Sequence, residues 1–287
     1  MRVGVDSYSF HRFFGELRPG ESDPGVRWTT ADFIRVITEL GVDGVSLETC
    51  FLDPNDLIWN RSNDYEDLEV VIAWGHPDGL RMGLSDSAIA DLRSTMGRAS
   101  SAGFSLVRIV LGTYSHWKIE PPSTVVERLA PIVAGLCSEA MDLDLELAIE
   151  THCDLPTGSL IDLVELIDSP ALGVVLDTAN VVRVGEDLVD ATERLNPYVR
   201  MIHAKDLDLS HATHGDPGGW WPTPSLGKGD LDLESAVTIV RVITVYREGH
   251  DRRLCGSNLL QGLTNEKLGD RGVIGDEAPP EGGEGRI

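Results

Sequence analysis

Three short apolar runs, each closed by a side chain able to bind a divalent cation, constrain this chain more than any other feature. They are Leu145-Glu146-Leu147-Ala148-Ile149-Glu150-Thr151-His152, Leu172-Gly173-Val174-Val175-Leu176-Asp177-Thr178 and Val199-Arg200-Met201-Ile202-His203-Ala204-Lys205. Short segments rich in Val, Ile and Leu read as parallel strands buried on both faces. In a parallel barrel the carboxyl ends of all strands converge on one face, which would bring Glu150, Asp177 and His203 together although they are distant in sequence. Two carboxylates and one imidazole make a hard, oxygen-dominated ligand set. It suits Mn²⁺ first, then Mg²⁺, Co²⁺ or Zn²⁺, better than a metal that seeks thiolates.

The rest of the chain supplies a strand-then-helix rhythm. Arg2 to Ser9 is a first strand that runs into the polar cluster Asp6-Ser7-Tyr8-Ser9-Phe10-His11. Thr29 and Thr30 are N-cap residues for a helix from Ala31 to Leu40, with Phe33, Ile34, Ile37 and Leu40 on one face and Gly41 at its stop. Val42 to Glu48 is a second strand whose end delivers Glu48 to the same face as the trio. Helical character is expected near Tyr65 to Trp74, a third strand over Leu80 to Ser85, a helix over Ser87 to Ala102 and a fourth strand over Leu106 to Gly112. Helices over Thr124 to Ala140, Ser159 to Ile167 and Leu188 to Leu195 lead into the fifth, sixth and seventh strands. Asp232 to Arg247 reads as a seventh helix and Leu254 as the start of an eighth strand.

Eight strands alternating with helices predict an α/β fold of the (β/α)₈ type, a TIM barrel, as a single domain over residues 1–263. Its closing helix must come from the short stretch Leu259 to Leu268, so the eighth unit is weak. Residues 264–287 carry Gly, Pro and mostly acidic charge and are expected to be a disordered tail. The segment His211 to Gly229, with its Gly, Pro and the pair Trp220-Trp221, is too long and irregular for a plain connector and reads as a mobile cover over the carboxyl-end face. Within it, Gly227-Lys228-Gly229 matches neither glycine fingerprint of a phosphate loop in full.

The 287 residues suit a single barrel of this kind. A formal charge of −23 repels a phosphate backbone, which argues against a nucleic-acid partner. Four cysteines without paired spacing and an N-terminus without a basic segment and apolar core point to a reducing cytoplasm. No uncharged apolar run reaches the length of about 18 residues that a membrane helix needs, so no membrane association is expected. A homo-oligomer remains open.

Taken together, Ala148-Ile149-Glu150-Thr151-His152, Val175-Leu176-Asp177-Thr178-Ala179-Asn180, His203-Ala204-Lys205-Asp206 and Gly227-Lys228-Gly229-Asp230 resemble the xylose-isomerase-like TIM-barrel superfamily, which includes sugar phosphate isomerases and epimerases. The likeness runs from residue 1 to about 257. It implies carbohydrate metabolism and a divalent metal held by Glu, Asp, His and a second Glu at the end of the eighth strand, the first three falling on Glu150, Asp177 and His203. Where the second Glu is expected, Leu254-Cys255-Gly256-Ser257-Asn258 offers Ser257. Thr151 stands where many relatives carry Asn.

The chemistry so implied is that of a metal-dependent sugar or keto-polyol isomerase or epimerase: the cation polarises a carbonyl and a carboxylate, Glu150, removes the proton on the adjacent carbon. His11, Glu48, His152 and Lys205 lie at the correct barrel end to contact a sugar or polyol, Lys205 by neutralising a developing oxyanion. The near alternatives are lyases that begin with the same proton removal, a keto-inositol dehydratase or a C-glycoside deglycosidase. A non-catalytic member that has lost the fourth ligand is a rival of another class. An endonuclease-IV-like hydrolase is disfavoured by the acidic charge and the lack of further His ligands.

Overall fold

A computed structural model describes residues 2–18, 20–60 and 68–240, and the backbone of 244–247. Eight parallel strands close on themselves in chain order: β1 (Arg2–Asp6), β2 (Gly44–Glu48), β3 (Glu69–Ala73), β4 (Leu106–Ile109), β5 (Glu146–Glu150), β6 (Leu172–Asp177), β7 (Val199–Ala204) and β8 (Thr244–Arg247). Closure rests on β8, which pairs Val245 with Ile202 of β7 and Thr244 with Arg2 of β1, so the barrel has no open edge. The helices are α1 (Thr30–Glu39), α2 (Asp86–Ser101), α3 (Pro122–Asp142), α4 (Thr157–Ile167), α5 (Thr178–Arg183), α6 (Leu188–Leu195) and α7 (Leu233–Val240). Among the described residues no helix is long and apolar enough to cross a membrane.

Local chemistry sets the boundaries. Thr29 caps α1 in a reciprocal box with Asp32, satisfying amides that would otherwise cost about 1 kcal/mol when the cap is lost. Ser85 accepts from the Ala88 amide at the start of α2, and Gly103 follows that helix at φ +75°, a conformation that favours glycine. Phe33, Ile34 and Ile37 of α1 are fully buried against the barrel, the face expected from their spacing. Most of the apolar core lies in this layer between the strands and their helices.

A second, separate cluster occupies the barrel interior. Val71, Ala148, Val175 and Met201 are fully buried together, with Leu106 packed against them. They come from β3, β5, β6, β7 and β4, one residue per strand, in the manner of a filled barrel layer.

Two expectations from the sequence are corrected. The third strand is Glu69–Ala73, inside the stretch expected to be helical, and Leu80 to Ser85 is turn. The run Val70-Val71-Ile72 prefers the pleated form, where branched side chains pack well. Arg81 and Met82 sit at φ 49° and 53°, which no strand permits. The seventh helix ends at Val240, and Thr244-Val245-Tyr246-Arg247, another β-favouring run, is β8. The place beside β1 and β7 is thereby taken. The expected eighth strand from Leu254, Ser257, the stretch to Leu268 and the tail 264–287 lie outside the described residues.

Candidate active site

Side chains alternate along a strand, so the residue two positions beyond an interior residue also points inward, one layer higher. Two beyond Ala148, Val175 and Met201 are Glu150, Asp177 and His203. All three are buried, and each offers a ligand atom within 4.8 Å of the others. The same step from Leu106 reaches Arg108 of β4, which is 4% exposed. Glu48 and Asp6 close β2 and β1 at the same end, both buried. The mouth of the barrel is thus a ring of ionisable groups set on an apolar floor.

The contacts within the ring are specific. Arg108 donates from Nη2 to Glu48 and lies 3.2 Å, at Nε, from Glu150 Oε2. Glu150 Oε1 is 3.6 Å from His203 Nδ1, and on the other edge of that imidazole Asp6 Oδ2 is 3.8 Å from Nε2. Asp177 accepts from the Asn180 amide at Oδ1 (2.8 Å) and from Lys205 Nζ at Oδ2 (2.9 Å). Its own amide donates to Thr151 Oγ1. Burial pushes the Glu150 carboxyl upward, but Arg108 and His203 beside it outweigh burial and hold it well below the usual carboxylate range. Glu150 is therefore an anion at neutral pH.

These contacts link four carboxylates, Asp6, Glu48, Glu150 and Asp177, to two permanent cations, Arg108 and Lys205. With His203 neutral, the excess is two negative charges in a site walled from water. One divalent cation would cancel it, and Glu150, Asp177 and His203 are of the chemical type and proximity to hold one. The donor set therefore fits the metal that the sequence implies.

The other expected contact residues are placed as follows. Lys205 reaches the trio through Asp177, with its side chain 19% exposed. His152 has Nδ1 at 2.9 Å from the Gly112 carbonyl, which as an acceptor fixes the proton on Nδ1 and leaves Nε2 a lone pair. Glu48 packs between Arg108 and Gly75, where a Cβ would come 2.9 Å from Oε2. His11 is 2% exposed and turns Nδ1 to the Tyr8 carbonyl and Nε2 to Glu21, so these nitrogens hold the β1 loop together. Arg108 and Asp6 were missed as functional residues. The signal that finds them is the strand register: each points to the same interior face as the trio.

The long loop after β7 is tied down from below. Asp206, fully buried, accepts at 2.9 Å from each of the Gly227 and Gly229 amides, as well as from the Leu207 and Leu231 amides. A Cβ on Gly229 would collide with Asp206 Oδ1. The glycines of Gly227-Lys228-Gly229 thus spend their amides on a carboxylate of the chain itself. Trp221 donates to the Asp216 carbonyl, whereas Trp220 is 69% exposed.

A model of the xylose isomerase-like TIM barrel matches residues 34–245. The 3-oxo-isoapionate decarboxylase of Pectobacterium atrosepticum is 29% identical over 147 residues, covering 51% of this chain and 50% of the relative. The fructoselysine 3-epimerase of Shigella flexneri is 23% identical over 159 residues, covering 53% and 56%. The chain spans between 34% and 58% of the length of the curated relatives it matches. Among solved structures, the IOLI protein with a bound zinc atom superposes with a TM-score of 0.66 at 12% identity, covering 93% of this chain and 98% of the other, a likeness of fold.

Proposed function

Because the chain belongs to the xylose isomerase-like TIM barrel family, we propose that it is a divalent-metal-dependent isomerase or epimerase of a sugar or keto-polyol. The observation that carries this reading is the trio on three consecutive strand ends, all buried and within 4.8 Å of one another. Glu150, Asp177 and His203 would hold the cation, Mn²⁺ in the first instance. When bound, the cation supplies Lewis-acid polarisation of a substrate carbonyl. Its relatives support the substrate class, since they include a fructoselysine 3-epimerase and a 3-oxo-isoapionate decarboxylase.

Proton transfer divides between two candidates. Glu150 is near the reacting centre, but its oxygens face Arg108 and His203, and its lowered basicity suits a ligand better than a base. His152 offers a lone pair at Nε2 whose orientation is set by the Gly112 carbonyl. We therefore assign Glu150 first to the metal and His152 to proton removal. Lys205 would leave Asp177 to stabilise the oxyanion that forms. Loop His211–Gly229, with Trp220 exposed above the face, would supply the cover.

The test combines metal content with isotope exchange. Wild type should hold about one divalent ion per chain and wash deuterium from D₂O into the carbon next to the carbonyl of a ketohexose or keto-polyol. Glu150→Gln should lose metal and exchange together; His152→Gln should keep metal and lose exchange. Absence of a divalent ion from wild type titrated with Mn²⁺ would end the metal reading. Exchange that survives His152→Gln would return the base role to Glu150. The decarboxylase relative favours a second reading, loss of CO₂ from a 3-oxo sugar acid at the same polarised carbonyl. CO₂ release without exchange into ketoses would select it.

A further inference from the structure

The ring nitrogens of His203 face two different carboxylates. Nδ1 is 3.6 Å from Glu150 Oε1, and Nε2 is 3.8 Å from Asp6 Oδ2. His203 and Asp6 are both 0% exposed. A neutral imidazole carries a single N–H, and the acceptor beside each nitrogen decides which one keeps it. Glu150 and Asp6 therefore compete for that proton. Should it sit on Nδ1, the lone pair would face Asp6, away from Glu150 and Asp177.

We propose that Asp6 is a positioning residue of the metal centre: its carboxylate, facing Nε2 of His203, favours the proton on that nitrogen, so that Nδ1 turns its lone pair toward the space shared with Glu150 and Asp177. The inference rests on the metal reading given above. Its structural basis is a division of labour within one carboxylate. Oδ1 is spent locally, accepting from the Tyr8 amide at 2.7 Å and so fixing the χ angles of Asp6 at the start of the 3₁₀ turn Ser7–Phe14. Oδ2 faces the imidazole, 3.8 Å from Nε2. The β1–β8–β7 pairing carries this contact across the barrel, since Gly4 and His203 share Tyr246 as their cross-strand neighbour. A carboxylate behind a metal-binding imidazole fixes its tautomer and raises its basicity, and removing such a partner typically costs about 10–100-fold in metal affinity.

Asp6→Asn keeps the size and the acceptor for the Tyr8 amide but can present an NH₂ to Nε2, which opposes the Nε2–H tautomer. Asp6→Ser keeps a capping oxygen and is too short to reach His203, and it serves where the first variant folds poorly. With ¹⁵N-labelled histidine, long-range ¹H–¹⁵N correlation of the metal-free protein should show His203 protonated at Nε2 in wild type and shifted toward Nδ1 in Asp6→Asn. Calorimetric titration with Mn²⁺ should show binding about 10–100-fold weaker in both variants with the stoichiometry unchanged. Zn²⁺-loaded wild type should place the metal on Nδ1. Affinity within about twofold of wild type, an unchanged tautomer, or metal on Nε2 would overturn the proposal. A wild type that takes up no metal while its His203 shifts tautomer on Asp6→Asn would overturn the metal reading and leave the positioning of His203 by Asp6 standing on the metal-free spectra.

Discussion

The two sides of the barrel mouth reach the same layer by different chemistry. On the side of β5, β6 and β7, each strand ends in a ligand-type residue, and the three bring their ligand atoms within 4.8 Å of one another. On the side of β1, β2 and β4, Glu48 is paired with Arg108, and Asp6 faces the imidazole of His203. One side is built to bind; the other is built to hold the first in place. Arg108 joins them, because its guanidinium reaches both Glu48 and Glu150.

The strongest way to break that contrast is to remove a ligand from the binding side while keeping its scaffold. Asp177→Asn retains an acceptor for the Asn180 amide that caps α5, so the fold should persist. Metal content, measured on the purified protein, should fall from about one ion per chain to a small fraction of that. Retention of a full equivalent would place the cation elsewhere.

The holding side should respond in stability. Arg108→Met leaves Glu48 and Glu150, both buried, without their shared cation, and breaking a buried ionic group in this way costs about 3–5 kcal/mol. The double variant with Glu48→Gln should recover part of the loss, since one stranded charge is removed. Urea unfolding of both variants measures it. A double variant no more stable than Arg108→Met alone would mean that the guanidinium acts on Glu150 only.

This asymmetry also explains what could be read from the sequence. Glu150, Asp177 and His203 terminate clean apolar runs, so strand and ligand were visible in one pattern, and so were the capped helices α1, α2 and α6. Arg108 was hidden because it interrupts the run Leu106-Val107-Arg108-Ile109, where a lone charge reads as an accident until its pairing with Ala148 shows that it points to the same interior face as the trio. Asp6 was visible only as one member of a polar cluster, and His11 drew attention in its place. β3 and β8 were misplaced because their branched residues lie within segments whose flanks carry helical spacing or turn residues. Tertiary pairing, which decides between the two forms, is not written locally.

A smaller effect belongs to the loop above the binding side. Asp206→Ala removes the common acceptor of four amides, including those of Gly227 and Gly229. Stability should drop by about 1–3 kcal/mol, and limited proteolysis should cut within 211–229 faster than in wild type. If cleavage is unchanged, the loop is held by its internal bonds, such as Thr213 to Trp220, and not by Asp206.

The smallest effect expected is a change of slope with pH, and it tests the join between the two sides directly. Burial raises the pKa of Glu150, but Arg108 first and His203 after it outweigh burial and hold the folded pKa below its unfolded value. In acid the unfolded chain binds a proton at this position that the folded chain does not, so stability rises with pH there. The contribution is complete above the ordinary carboxylate range of about 4.3 and is lost as pH falls through the folded value. Unfolding midpoints in urea, followed from pH 6 downward in the presence of a chelator, should therefore fall more steeply in wild type than in Glu150→Gln. The slope and not the level is compared, because the substitution also changes contacts whose contribution does not depend on pH. Arg108→Met should flatten the same slope although Glu150 is still present, since the neighbour that holds the carboxyl acidic is gone. Were the slope to flatten in Glu150→Gln but stay steep in Arg108→Met, His203 alone would be setting the charge of Glu150, and β4 would have no electrostatic hand in the binding side.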